Sequence, residues 1–178
     1  MNIRGKLLSV VGTVTAAVAA ILVTPSAAHA AIDPFTCFIQ TADGHYVTAV
    51  GGGGRTTDVM HTNATRPSTW ERFTKVPQGD LFGHFALRTF TGNYVTAVNS
   101  GGLNTTQVSD VLHTDATRIG TWELFSTFSL SDGTVGIRVF DNHFLAALNG
   151  GNRTTKVFDS DRANLIIPDT HFRFTCGV

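Results

Sequence analysis

Beyond residue 30 the chain alternates short apolar runs with polar turns. Val, Thr, Phe and Tyr dominate the runs, and Gly, Asp and Asn separate them. That composition predicts half-buried strands joined by tight turns. No stretch sustains apolar positions at three- and four-residue spacing, so no amphipathic helix is predicted. The runs recur. Residues 44–54 read GHYVTAVGGGG, residues 92–102 read GNYVTAVNSGG, and residues 142–152 read NHFLAALNGGN. A second block follows each. DVMHTNATRPSTWERF (58–73) matches DVLHTDATRIGTWELF (110–125), and VFDSDRANLIIPDTHFRF (157–174) is a degenerate third copy.

Each unit is read as four strands. The first lies around Ile39, Leu87 or Ile137. The second covers residues 46–50 and their equivalents. The third lies near Val59, Val111 and Val157, and the fourth covers 71–73, 123–125 and 172–174. Asp43-Gly44 carries a hairpin signal. Three repeats, at about 37–80, 84–133 and 134–178, give twelve strands and an all-β fold. Propeller blades have similar lengths, but three blades fall short of the usual minimum of about four. A closed barrel capped by hairpins suits three units, because closure removes open sheet edges. One unit cannot bury its apolar face alone; three share a core.

The ends of the chain add a compartment. Arg4 and Lys6 precede an apolar, Ala-rich run that ends at Ala28-His29-Ala30. This is the pattern of a secretory signal peptide over residues 1–30, of bacterial type, and implies an extracellular product. Removing 30 of 178 residues leaves 148, a single domain over 31–178. The 13 basic residues then fall to 11 against 13 acidic, a formal charge of −2. Without a basic patch, nucleic acid is not an expected partner. No later stretch is apolar enough for membrane insertion. Cys37 and Cys176 stand near opposite ends of the exported chain. They form either a disulfide, which export permits, or two separate buried thiols.

The repeated G-x-Y-V-T-A motif followed by W-E-x-F resembles the fascin-like branch of the β-trefoil fold. Gly44, Tyr46, Val47, Thr48, Ala49, Trp70, Glu71 and Phe73 carry it in the first unit. Gly92, Tyr94, Val95, Thr96, Ala97, Trp122, Glu123 and Phe125 carry it in the second. The third unit departs, with Asn142, Phe144 and His171-Phe172 at the corresponding places. The resemblance implies a β-trefoil of three four-stranded units. It does not select a function, since that fold serves lectins, protease inhibitors, growth factors and actin bundlers.

Candidate chemistry is sparse. Glu71 and Glu123 are the only glutamates, and they occupy equivalent places in different repeats, too far apart under threefold symmetry to flank one glycosidic bond. Arg66 and Arg118 precede the tryptophans by four residues. Leu165 and Phe172 stand where Arg and Glu would fall in the third unit, which suggests an Arg–Glu ion pair in units one and two. The tryptophans are read as core or cap residues. His61 and His113 match each other, with Ser160 as the third counterpart. If Met60 and Leu112 point inward, alternation turns both histidines outward, to contact a ligand or to order a turn. No HExxH, cysteine cluster, P-loop or G-x-S-x-G motif occurs, so no metal, cofactor or catalytic residue is expected. Asn63, Asn104 and Asn152 begin N-glycosylation sequons. The second unit has four extra residues between Tyr94 and His113, a place for binding specificity.

The expectation is a secreted, non-enzymatic, lectin-like binding module for a glycan or cell-surface polysaccharide. Its polar contacts would be Asp58, His61 and Asn63 in one unit and Asp110, His113 and Asp115 in the next, with Tyr46 and Tyr94 as stacking faces. A structural or protein-binding role with a secreted partner is the alternative. It would act by filament binding or by protease inhibition through a loop such as Arg66-Pro67 or residues 152–154.

Overall fold

The structure is a computed structural model that describes residues 35–177. The leader reading falls on residues 1–30 and lies outside them. Contacts divide the chain into Met1–Ala30 and Ala31–Val178; the described residues all lie in the second unit.

Twelve strands fall into three sets of four. The first set is β1 (Thr36–Gln40), β2 (Tyr46–Ala49), β3 (Met60–Ala64) and β4 (Phe73–Pro77). The second is β5 (Phe85–Arg88), β6 (Tyr94–Ala97), β7 (Leu112–Ala116) and β8 (Phe125–Ser129). The third is β9 (Val135–Val139), β10 (Phe144–Ala147), β11 (Phe158–Arg162) and β12 (Arg173–Cys176). The first and fourth strands of each unit form a barrel. β1 pairs β4 and β12, β4 pairs β5, β5 pairs β8, and β8 pairs β9. A bridge between Val135 and Phe172, with 2.8 Å hydrogen bonds in both directions, completes the circuit. The expected fourth strands were placed too early: Glu71 and Glu123 precede β4 and β8 and lie in turns.

The second and third strands form three hairpins of matching register. Thr48 faces His61, Thr96 faces His113, and Ala146 faces Asp159, each with a bulge at the same step. This register corrects the third repeat. His61 and His113 correspond to Asp159, and Ser160 corresponds to Thr62 and Thr114. Likewise Phe172 replaces Phe73 and Phe125 as a core ring, all at most 1% exposed, and Thr170 takes the place of Glu71 and Glu123. The polar-for-apolar substitution inferred at Phe172 does not occur.

Layers of equivalent side chains fill the interior. Ile39, Leu87 and Ile137 form one, Val47, Val95 and Leu145 another, and Met60, Leu112 and Phe158 a third. Together with the three phenylalanines they enclose a residual gap of about 20 Å³. The repeats are therefore a single core in three instalments. Cys37 and Cys176 face each other across β1 and β12 and are joined as a disulfide.

Candidate binding sites on the hairpin triplet

Alternation along the third strand of each unit sets the site. Thr62, Thr114 and Ser160 point inward and are fully buried. Their hydroxyls each accept a backbone amide from the loop of another unit: Arg153 on Thr62 (3.1 Å), Arg55 on Thr114 (3.1 Å) and Leu103 on Ser160 (3.2 Å). Backbone hydrogen bonds reinforce each clasp, as from the Thr114 amide to the Arg55 carbonyl at 2.8 Å. The flanking residues must then face outward. They are His61 and Asn63 on β3, His113 and Asp115 on β7, and Asp159 and Asp161 on β11.

The three outward pairs differ in what surrounds them. In the first unit His61 Nε2 lies 2.8 Å from Asp58 Oδ1, and Arg55 Nη2 lies 3.3 Å from Asp58 Oδ2. Asp58 is oriented, half-exposed, and left with acceptor capacity; the Asn63 side chain is exposed and makes no hydrogen bond among the described residues. In the second unit Asp110 does not reach His113. Its Oδ1 instead sits 3.5 Å from the Val59 amide. The side chains of His113 and Asp115 have no hydrogen-bond partner among the described residues, although the Asp115 carbonyl accepts from Asn93.

The third pair is occupied by the protein itself. Arg162 donates to Asp159 at 2.6 Å, the Thr105 amide donates to its other oxygen at 2.9 Å, and Asn104 Nδ2 donates to Asp161 at 2.8 Å. Asn104 and Thr105 belong to the enlarged loop of unit two. The four extra residues therefore close the third face, because an aspartate pair there needs donors that a shorter loop does not bring. Two outward faces remain open.

Tyr46 and Tyr94 are half-buried at the open ends of the same hairpins, opposite Ala64 and Ala116. The Tyr46 ring meets Phe38 edge-on with centroids 6.3 Å apart, so only part of it is available as a stacking face.

The Arg–Glu pairing is not what holds the glutamates. Glu71 accepts from the Thr48 hydroxyl at 2.6 Å and from the Ser68 amide at 2.8 Å. Glu123 does the same with Thr96 (2.6 Å) and Gly120 (2.7 Å). Arg66 and Arg118 are exposed and form no ion pair among the described residues. Local backbone donors and a threonine hydroxyl satisfy a buried carboxyl group more cheaply than a long, solvated guanidinium does.

Of the two places expected for the tryptophans, core or cap, the core is excluded. Trp70 is 49% and Trp122 is 44% exposed, so neither is core. The third repeat carried the clue: Asp169 stands at that place, which no core position would accept.

No protein-family model matches the chain, and no curated protein matches it. The solved structures do. One is a designed threefold-symmetric protein, ThreeFoil, with a TM-score of 0.65 at 10% identity over 78% of this chain and 96% of that one. The chain folds as a β-trefoil. A second neighbour is a mosquitocidal holotoxin, with a TM-score of 0.58 at 11% identity. The alignment covers 79% of this chain and only 16% of the toxin, so the β-trefoil matches a small part of that molecule.

Proposed function

We propose that this β-trefoil is a secreted, non-enzymatic carbohydrate-binding module of lectin-like type. One observation carries the proposal. On the outward pairs of β3 and β7 the side chains of Asn63, His113 and Asp115 have no hydrogen-bond partner among the described residues, while on β11 Arg162 and the loop residues Asn104 and Thr105 hold Asp159 and Asp161. Unpaired donors and acceptors on a rigid hairpin suit sugar hydroxyls, which need oriented partners at low entropic cost. Two sites of modest affinity would act together on a polymer. The disulfide accords with export to an oxidising compartment.

The test is retention of the oxidised protein on a panel of immobilised glycans. His61→Ala with His113→Ala should weaken retention about tenfold or more without moving Tm by more than a few degrees. Retention unchanged by the double substitution rejects this site.

A protein partner is the second reading. It is favoured by the β4–β5 turn, where Leu81 and Phe82 are 102% and 75% exposed. Leu81→Ser should weaken capture of such a partner and leave glycan retention intact.

A further inference from the structure

At each junction between units, the turn between the first and second strands of one unit is docked on the 3-10 turn of another. The Thr91 amide donates to the Gly52 carbonyl (3.0 Å), Asp141 to Ser100 (3.3 Å) and Asp43 to Gly150 (3.1 Å). Trp70 and Phe90 flank the first junction. A methyl group added at Gly52 would lie 3.5 Å from Cδ1 of each ring, so those atoms are no more than about 7 Å apart. Trp70 is 49% and Phe90 57% exposed. Trp122 and Phe140 hold the matching places at the second junction, both still more than two-fifths exposed. The third junction has Asp169 and Ala42 instead.

Core positions keep an apolar residue in all three units, as Phe73, Phe125 and Phe172 do. The tryptophan and its phenylalanine are instead kept together twice and lost together once. A pair that is exposed and retained or lost as a pair acts at the surface. The second platform is longer. The Phe140 ring is 6.0 Å from His84, and His84 is 5.7 Å from Phe82. Asp80 holds that histidine at 2.6 Å and accepts the backbone amides of Phe82 and His84.

We infer that the Trp70–Phe90 and Trp122–Phe140 platforms are stacking sites for β-linked hexopyranose polymers. This rests on the carbohydrate reading above and adds a site and a ligand class to it. The faces of aromatic rings attract the slightly positive C–H groups of an equatorially substituted pyranose. Hydrogen-bonding groups rim both platforms: Thr91 and Asn93 at the first, Asp141 and His143 at the second. A lipid surface would have to bury the Asp141 carboxylate, and the chain offers it no compensating basic cluster.

The protein has two tryptophans, so its tryptophan emission, excited selectively over tyrosine, reports these platforms alone. The probes are chitohexaose and cellohexaose in solution and chitin and cellulose as solids. A shift in tryptophan emission with either oligosaccharide is expected. Trp70→Ala and Trp122→Ala should each weaken retention on the solid polymer about tenfold, and more together. Phe90→Ala and Phe140→Ala act in the same direction and serve if a tryptophan variant folds poorly. His61→Ala with His113→Ala should leave the emission shift in place. Glycan retention that depends on His61 and His113, with unmoved emission and undiminished retention in the tryptophan variants, overturns the platforms and leaves the proposed function standing. Failure of the unaltered protein to bind chitin or cellulose overturns the ligand class, and failure on every immobilised glycan overturns both. Binding to phosphatidylcholine vesicles that needs Trp70 and Trp122, without polysaccharide binding, would assign the platforms to lipid.

Discussion

Thr48 on β2 donates a 2.6 Å hydrogen bond to Glu71 in the turn before β4, and both side chains are buried. Thr96 and Glu123 repeat the pair, and the third unit replaces both members, with Ala146 and Thr170. There the Thr170 hydroxyl turns back to the Ile167 carbonyl at 2.7 Å, so the place is still satisfied. Glu71→Ala strands the Thr48 hydroxyl and the Ser68 amide, at about 1–3 kcal/mol each. Thr48→Ala combined with Glu71→Thr, which copies the third unit, should cost less than the two single changes summed. Urea denaturation of the four proteins measures the coupling. Strict additivity would show that the residues do not act as a pair.

Gly101 has φ +120°, and a Cβ there would collide with Val139 and Asp141 of the next unit. Gly44 has φ +87° with nothing nearby. Both alanine substitutions meet the backbone cost, but only Gly101→Ala meets the steric one. Gly101→Ala should therefore be the more destabilising by about 1–3 kcal/mol. Equal losses in thermal unfolding would mean that the junction yields without strain.

The disulfide closes a segment of 139 residues. Chain entropy allows it up to about 5 kcal/mol. Cys37→Ala with Cys176→Ala should lower Tm on the order of 10 °C, with the β1–β12 edge opening first in hydrogen exchange. An unchanged Tm would place the stability of that seam in strand pairing alone.

Acid should unfold the protein in part through Asp43. Burial opposes its ionisation, but the hydrogen bonds from the Thr41 hydroxyl and the His45 amide, and the His45 ring beside it, hold the carboxyl below its ordinary 3.8. The His84 amide foremost does the same for Asp80, and the Thr134 hydroxyl for Asp132. A carboxyl depressed on folding stabilises fully above its unfolded value. That stability is lost as pH falls through the folded value. Stability should decline below about pH 4, and Asp43→Asn should flatten part of the decline. Parallel pH profiles for the two proteins would remove Asp43 from the account.

Much of the architecture was legible because it rests on local pattern. Alternation and turn residues located the strands, and Met60 and Leu112 face inward as expected, with His61 and His113 facing out. The third repeat was misaligned by one residue at Ser160 and by two at Phe172. Its polar landmarks had changed, and only the ladder partners Ala146 and Asp159 define the register. Trp70 was left between core and cap because an aromatic residue in a strand-rich repeat suits a core as well as a surface.

The sequence by itself determined that three like units would share one core, since periodicity and repetition are written locally. It also carried the two-against-one difference between units. The tertiary structure decided what each repeated polar residue faces. Glu71 meets Thr48 rather than Arg66, Asp159 meets a loop of another unit, and Trp70 shares a junction with Phe90. Those contacts join residues far apart in the chain. The contacts of Asp159 and Trp70 exist only once the barrel has closed and brought the units edge to edge.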